Sequence, residues 1–323
     1  MAPKVSVLIP SYNYAQFLPE AIEAVQAQDF RDFELLIVDD CSQDNSAEVA
    51  AKFSANDPRI RLSVNAANLG MVENWNHCLA LAKGEYVKFL FGDDKLMGRQ
   101  ALGSMAAMLD QHPKAALAAS ARIVLDEKSN WIDLLASLPD GAQPGPAIIT
   151  RCLLQNHNLI GEPSVVMFRR ADAQRGFDRG YRQMVDLEMW FHLLERGDLV
   201  YTREPLCAFR RHARQQTAVN NANRSMAEQF NEQLMLVRTY GARPWISTRQ
   251  RLDILYRARR GLWKNPTAKS QFLALERQSA GPSGLSRYFL PWLKYTLARP
   301  AENLKRSWQK RWFRRSMRAR KRL

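Results

Sequence analysis

The sequence lacks several features that would assign a chain to a simple class of protein. No apolar run approaches the roughly 18 residues of a membrane-spanning helix, and no internal repeat is visible. The four cysteines match neither a zinc spacing nor a disulfide framework, which predicts reduced thiols in a cytosolic protein. The apolar run at residues 5–9 is too short for a signal peptide. From the 323 residues we expect a globular protein with one large domain and an appendage, or with two domains.

Acidic residues are scarce mainly near the C-terminus. The formal net charge of the whole chain is +15, from 47 Lys+Arg and 32 Asp+Glu. Residues 301–323 contain ten basic residues and one acid, a net +9 that leaves +6 for the preceding 300 residues. Any argument for a polyanionic partner therefore concerns this C-terminal segment.

Alternating strand and helix patterns over the first 110 residues predict a doubly wound, mostly parallel α/β sheet. Strand-like runs occupy residues 4–9, 33–38, 60–64 and 86–91, and helical patterns occupy residues 14–28, 44–54, 71–83 and 98–110. The chain then continues with strands at 115–124 and 162–168, an irregular, mobile loop at 126–146, and a helix at 186–194. Beyond residue 216 we predict only helices, at 222–240, 247–263, 267–279 and 284–298.

Two of the predicted strands end in paired aspartates, Asp39–Asp40 and Asp93–Asp94. The carboxyl ends of parallel strands share one edge of a sheet, which is where open α/β sheets bind ligands. Four carboxylates at one edge repel one another unless a cation or hydrogen-bond donors lie among them. Oxygen ligands of this kind suit Mg²⁺ and Mn²⁺. The pattern predicts a nucleotide and metal site, although Gly92-Asp93-Asp94 alone would also suit a solvated turn.

These segments, in this order, resemble the inverting glycosyltransferases of family 2, which have the GT-A fold. The resemblance covers residues 3 to about 216 and rests on VSVLIPSYN at 5–13, DFELLIVDD at 32–40, NLG at 68–70, GEY at 84–86, FDRGYRQMVDLEMW at 177–190, EPL at 204–206 and RRHARQ at 210–215. The implied fold is a Rossmann-like, nucleotide-diphospho-sugar transferase domain with a helical C-terminal region. The chain departs from the family pattern at Phe91, where many relatives carry the first aspartate of Asp-x-Asp.

The resemblance implies a nucleotide site at the first two strand ends. Pro10, Tyr12 and Asp40 would line the pocket for the base, with Tyr12 offering a stacking face unless it is a core aromatic. Asp39 is the alternative to Asp40, since adjacent strand residues point to opposite faces. Asn68 would touch the nucleotide or only hold its own turn.

The resemblance further implies a cofactor, Mn²⁺ or Mg²⁺, and a general base. Asp93 would contact the ribose or share the metal, Asp94 would bind the metal, and His212 would be a third ligand or a diphosphate contact. Asp186 is the predicted general base for a single displacement, with a helix N-cap as its alternative role. Glu188 is the competing base, but it faces another side of the helix.

The expected activity is transfer of a sugar from a nucleoside-diphosphate sugar to a hydroxyl of a glycan or lipid-linked glycan, a precursor of a cell-surface polysaccharide. The predicted organisation is a GT-A domain at 1–216, a helical region at 217–300 and a basic amphipathic tail at 301–323. In the tail, Leu304, Trp308 and Trp312 recur every four residues among Lys and Arg. That pattern favours docking to an anionic membrane surface, here the cytoplasmic face.

Two other functions compete with this prediction. A sugar-phosphate nucleotidyltransferase would need a Gly-rich, basic loop after the first strand, and residues 10–13 contain neither Gly nor Lys. A nucleic-acid-binding protein could use the basic tail, but the acids at the sheet edge would repel phosphates, so we expect no nucleic-acid partner. The absence of Gln-x-x-Arg-Trp after the base segment favours the addition of one sugar per visit.

Overall fold

The centre of the protein is a ten-stranded sheet in the computed structural model, which describes residues 2–213, 215 and 226–262. Its strands are β1 (Val5–Ser11), β2 (Phe33–Asp39), β3 (Ile60–Val64), β4 (Tyr86–Phe89), β5 (Lys95–Leu96), β6 (Ala115–Leu125), β7 (Trp131–Leu135), β8 (Gly141–Gln143), β9 (Val166–Arg169) and β10 (Asp198–Arg210). The helices are α1 (Leu18–Gln26), α2 (Ser46–Asn56), α3 (Met71–Leu81), α4 (Ala101–Gln111), α5 (Gly145–Gln155), α6 (Val185–Leu194), α7 (Met226–Gly241) and α8 (Thr248–Leu262). Short 3-10 helices occupy Pro163–Val165 and Arg170–Ala173.

The strand order is β3-β2-β1-β4-β9-β6-β10-β5, with β7 beside β6 and β8 beside β10. The β3-β2-β1-β4 part is entirely parallel, and so is the long β6–β10 pair. Strand β9 joins the two parts by pairing antiparallel with both β4 and β6. The predicted α/β class with a mostly parallel central sheet is confirmed.

The apolar runs of the sequence account for the buried strands. Strands β1 and β2 are buried at every one of their seven positions, as expected for a parallel sheet covered by helices. Helix α1 turns Leu18, Ala21, Ile22 and Val25 toward the core. Its proline stands in the first turn, where the missing N–H group leaves no hydrogen bond unmade.

The sequence predictions fail mainly between residues 126 and 210. The irregular loop predicted at 126–146 is wrong, because this segment contributes β7 and β8, which pair antiparallel with β6 and β10. The strand predicted from residue 162 begins at Val166, after the 3-10 turn at Pro163. Strand β10 was not predicted at all. Its pairing with β6 shifts register around Pro205. Because proline is rare inside strands, this residue argues against a strand when only the sequence is read.

The C-terminal helices α7 and α8 confirm a helical region after the sheet. At the start of α8, Ser247 and Gln250 form the expected capping box: Gln250 N–H donates to Ser247 Oγ and Ser247 N–H donates to Gln250 Oε1. Leu234, Val237 and Ile254 belong to the same hydrophobic core as the sheet. The domain boundary at 216/217 stays a prediction, and it does not separate two cores.

Several predictions concern residues outside the described part of the chain. These are the helices at 267–279 and 284–298 and the tail at 301–323. Among residues 2–213, 215 and 226–262, no helix combines the length and the apolar character needed to cross a membrane.

Candidate functional site

A cavity of about 780 Å³ opens at the carboxyl ends of β1, β2 and β4. Seven of the eight predicted site residues line it: Pro10, Tyr12, Asp40, Asn68, Asp93, Asp186 and His212. Tyr12 is 42% exposed, which excludes its alternative role as a core aromatic. The eighth residue, Asp94, is not part of the lining.

One end of the cavity is built from two loops that are hydrogen-bonded to each other. Asn13, with a left-handed φ of 58°, follows β1 and donates its N–H to Ser42 Oγ at 2.9 Å. Its side-chain Oδ1 accepts from Gln43 N–H at 2.8 Å. Asp44 accepts from Ala15 N–H at 3.1 Å. These bonds fix the two loops that follow β1 and β2 as one wall of the cavity.

The two aspartates at the end of β2 make different contacts. Asp40 lines the cavity, and its carboxylate accepts the backbone N–H groups of Leu69 and Gly70 at 2.8 and 2.9 Å. Asn68 Nδ2 donates to the Asp40 carbonyl at 3.1 Å, so Asn68 both lines the cavity and holds its turn. Asp39 instead accepts from the N–H and the hydroxyl of Ser42. Of this pair, only Asp40 faces the cavity.

The aspartates after β4 also point different ways. Asp93 lines the cavity, with its Oδ2 2.9 Å from His212 Nε2. Asp94 is 2% exposed, and its Oδ1 accepts the N–H of Arg210 at 2.9 Å. Burial and the neighbouring Asp93 charge raise the pKa of Asp94 well above its ordinary value. The predicted metal-ligand role of Asp94 stays a prediction, and the Oδ1 of Asp94 is already bonded to β10.

Arg210 fixes this acidic turn from behind. Its guanidinium Nε donates to the Asp93 carbonyl at 2.7 Å, and another of its nitrogens pairs with Glu20 on α1. A further nitrogen donates to Ser129 Oγ at 2.7 Å. The side chain is 1% exposed and lies over the ring of Phe17. A charge this deeply buried is tolerated because its nitrogens are hydrogen-bonded.

Asp186 stands in the first turn of α6, at the cavity wall. Its carboxylate accepts from Leu187 N–H at 2.8 Å and from Asn158 Nδ2 at 3.3 Å. Burial, with a smaller contribution from the Glu162 carboxylate, raises the pKa of Asp186 from 3.8 to about 7. The N-cap position belongs to Met184, so Asp186 does not fill the alternative role of helix cap.

Glu188, the competing base, is held by hydrogen bonds to other side chains. Its two oxygens accept from Arg175 at 2.9 and 2.5 Å, and one also accepts from Tyr240 Oη at 2.7 Å. It is 3% exposed and does not line the cavity. Of the two carboxylates, only Asp186 is in a position to meet a ligand.

The sequence reasoning missed several cavity residues. They are Tyr14, Phe17, Trp75, Glu162, Arg182, Gln183 and Gln215. Phe91, singled out as a departure from the family pattern, packs its ring 5.0 Å from that of Trp75 and forms an apolar part of the wall. Glu162 could have been noticed as the acid that opens the predicted strand at 162–168, and Arg182, Gln183 and Gln215 lie in segments that carry the family resemblance. Tyr14, Phe17 and Trp75 carry no local signal.

A divalent cation would find two donors here. Within the described residues no group of three or more His, Cys, Asp and Glu side chains is arranged to hold a metal. Asp93 and His212 meet at the cavity, and the other ring nitrogen of His212, Nδ1, is buried without a hydrogen-bond partner. Mg²⁺ sites of substrate phosphates often use only one or two protein ligands, the rest being water and phosphate oxygen. The residues present therefore fit such an ion.

Comparison with solved structures defines the class of fold. The S. aureus protein TarS in complex with UDP-GlcNAc matches with a TM-score of 0.64 and 19% identity, over 85% of this chain and 77% of TarS. The mannosyltransferase PcManGT of Pyrobaculum calidifontis, in complex with GDP-Man and Mn²⁺, matches with a TM-score of 0.57 and 16% identity, over 92% of this chain and 81% of its own. Identities this low establish the fold alone, which is that of the GT-A glycosyltransferases.

Sequence comparison then identifies the family. The model of "Glycosyl transferase family 2" matches residues 6–177, and the chain belongs to this family. The uncharacterized protein MT1568 of Mycobacterium tuberculosis is 31% identical over 239 residues, 71% of this chain and 72% of its own length. The Campylobacter jejuni enzyme GalNAc(5)-diNAcBac-PP-undecaprenol beta-1,3-glucosyltransferase is 38% identical over 96 residues, 29% of this chain and 31% of its own.

Proposed function

We propose that this glycosyltransferase moves a sugar from a nucleoside-diphosphate donor to a hydroxyl acceptor, with inversion at the anomeric carbon. The observation that carries the proposal is that one cavity holds Asp40 and Asn68 at one end, the Asp93–His212 pair, and Asp186. These groups match the three parts of such a reaction, which are the nucleotide, its diphosphate and the acceptor hydroxyl.

Inversion requires a single displacement and one base. The acceptor oxygen attacks the anomeric carbon, its proton passes to Asp186, and the bond to the diphosphate breaks with its electron pair leaving on the diphosphate. A base with a pKa near 7 is well matched to a reaction at neutral pH. Since Glu188 is held by Arg175 and Tyr240, it does not compete for the proton.

We assign the divalent cation, Mn²⁺ or Mg²⁺, to Asp93 and His212 and not to Asp94. When bound, such an ion supplies Lewis-acid stabilisation of the leaving diphosphate. The assignment is supported by the position of the Asp93 carboxylate in the cavity lining and by the fold neighbour that contains Mn²⁺. Asp94 instead keeps the turn attached to β10 through the Arg210 N–H.

The acceptor in this proposal is a lipid-linked glycan or another precursor of a cell-surface polysaccharide. The name of the Campylobacter jejuni relative, which contains a PP-undecaprenol group, supports a lipid-linked acceptor. The basic segment 301–323, with Trp308 and Trp312, would hold the enzyme on the cytoplasmic face of an anionic membrane. In this proposal the segment binds the membrane surface and does not bind nucleic acid.

The decisive experiment is a screen of nucleotide sugars with the purified chain, in Mn²⁺, in Mg²⁺ and in chelator. We expect one donor to be hydrolysed or transferred only when the metal is present. The Asp186→Asn variant should lose transfer while it binds the donor normally, whereas Glu188→Gln should retain transfer if it folds. Full activity in chelator would refute the metal assignment, and no turnover of any donor would refute the function.

A further inference from the structure

The helix that carries Asp186 begins without a cap of its own. The first turn of an α-helix leaves backbone N–H groups without a partner inside the helix. The N-cap residue of α6 is Met184, whose apolar side chain makes no capping hydrogen bond. In the first turn of the helix, the Asp186 carboxylate accepts from the Leu187 N–H. The N–H groups just before the helix therefore need an acceptor from elsewhere.

Glu232 of α7 supplies that acceptor. One carboxylate oxygen, Oε2, accepts from Gln183 N–H at 2.7 Å and from Met184 N–H at 2.9 Å. Hydrogen bonds to an ionised group are among the stronger ones in proteins, and a negative charge at a helix N-terminus is favoured by the helix dipole. Glu232 is 3% exposed, and burying a carboxylate is costly unless such bonds compensate.

The backbone that Glu232 holds is part of the cavity wall. Arg182, Gln183, Val185 and Asp186 all line the cavity, so the two bonded N–H groups lie in the segment that presents Asp186. At the far end of α6, Arg243 pairs with Glu195. Helix α7 and the turn after it thus contact α6 at its beginning and its end.

We propose that Glu232 is a positioning residue for Asp186, so that one side chain of helix α7 supports the catalytic base. The inference rests on the proposed role of Asp186 as the base. Glu232 does not touch the reacting atoms. It holds the start of α6 so that the Asp186 carboxylate faces the acceptor hydroxyl. The family match ends at residue 177, so this support comes from a part of the chain beyond the matched region.

The test compares three variants of the full chain: Glu232→Ala, Glu232→Gln and the control Gln233→Ala. Gln233 is the next residue of α7 and bonds Asn156 after α5, so its loss weakens α7 without touching the start of α6. Hydrogen–deuterium exchange of the 182–187 peptide needs no substrate. Exchange there should become at least about tenfold faster in Glu232→Ala, because the two amides lose their acceptor, and stay unchanged in Gln233→Ala.

Kinetics with the donor found in the screen give the second readout. A displaced base costs turnover and not donor binding, so kcat should fall about tenfold to a hundredfold in Glu232→Ala while the donor KM stays within about twofold. Glu232→Gln keeps an acceptor oxygen and should recover most of the loss in kcat. It also serves as the working variant if the alanine variant fails to fold.

Two results would overturn the inference. Unchanged exchange at 182–187 in Glu232→Ala would show that the carboxylate does not hold this segment, and fast exchange with wild-type kcat would show that holding it does not matter for catalysis. A fully active Asp186→Asn, or a screen without any donor, would instead overturn the proposed function and the catalytic part of this inference with it.

Discussion

Replacing Asp186 with asparagine should abolish transfer and, at the same time, stabilise the folded protein. Burial raises the pKa of this carboxyl from 3.8 to about 7. That difference corresponds to about 4 kcal/mol that the ionised carboxylate costs the folded state above pH 7. Asparagine avoids this cost but gives up the acceptor for Asn158 Nδ2 at 3.3 Å, a bond worth about 1 kcal/mol. Because the side chain is only partly shielded from solvent, we expect a net gain of about 2–3 kcal/mol at pH 8.

The sign of the pH dependence follows from the raised pKa. Between pH 3.8 and 7 the folded protein holds a proton on Asp186 that the unfolded chain has released. The free-energy cost of the ionised Asp186 carboxylate is therefore absent from the folded wild type at low pH and fully present above pH 7. The advantage of Asp186→Asn should be largest at pH 8 and fall below about 1 kcal/mol at pH 5. In the wild type, kcat should decline as the pH falls below about 7, because the base becomes protonated.

Urea unfolding followed by circular dichroism at pH 8, 6.5 and 5 measures the stability difference, and the transfer assay measures kcat. Glu188→Gln is the matched control, because it also neutralises an acid of α6 but removes a partner of Arg175. It should lose about 1.5–3 kcal/mol and keep transfer. The reasoning fails if Asp186→Asn is no more stable than the wild type at pH 8, or if its gain is the same at every pH. A variant that still transfers sugar would show that another group is the base.

Three further predictions follow from the acidic turn and the C-terminal segment. Asp93→Asn should raise the Mn²⁺ concentration for half-maximal activity at least about tenfold, whereas Asp94→Asn should leave it near normal; the opposite pattern would return the metal to Asp94. Gly92→Ala would bring a Cβ atom within 3.1 Å of the Tyr14 ring. It should lower the free energy of unfolding by about 1 kcal/mol, and an unchanged melting temperature would contradict this packing. The full chain should co-sediment with anionic vesicles and release as salt rises, whereas a chain ending at Pro300 should not; equal binding by both would show that residues 301–323 are not the anchor.

The local pattern of the sequence determined the class of fold. Apolar runs alternating with helical spacing predict β1 to β4 and the helices between them, because each element buries a face that its own residues define. The acid pairs at 39–40 and 93–94 likewise placed a polar site at one sheet edge, since parallel strands end together. Strands β8 and β10 escaped prediction because their partners lie far away in the sequence. Strand β7 pairs with the neighbouring β6 and was missed because it lies in the segment predicted to be an irregular loop.

Only the tertiary structure decided which member of each pair does what. The sequence places Asp93 and Asp94 side by side after a strand, but it does not say which one faces the cavity. That choice depends on β10, which offers the Arg210 N–H to Asp94 and brings His212 to Asp93. In the same way, Arg175 and Tyr240 hold Glu188 by hydrogen bonds, and the start of α6 is held by Glu232, 48 residues from Met184. These contacts join side chains that no local pattern links, so they exist only once the chain has packed.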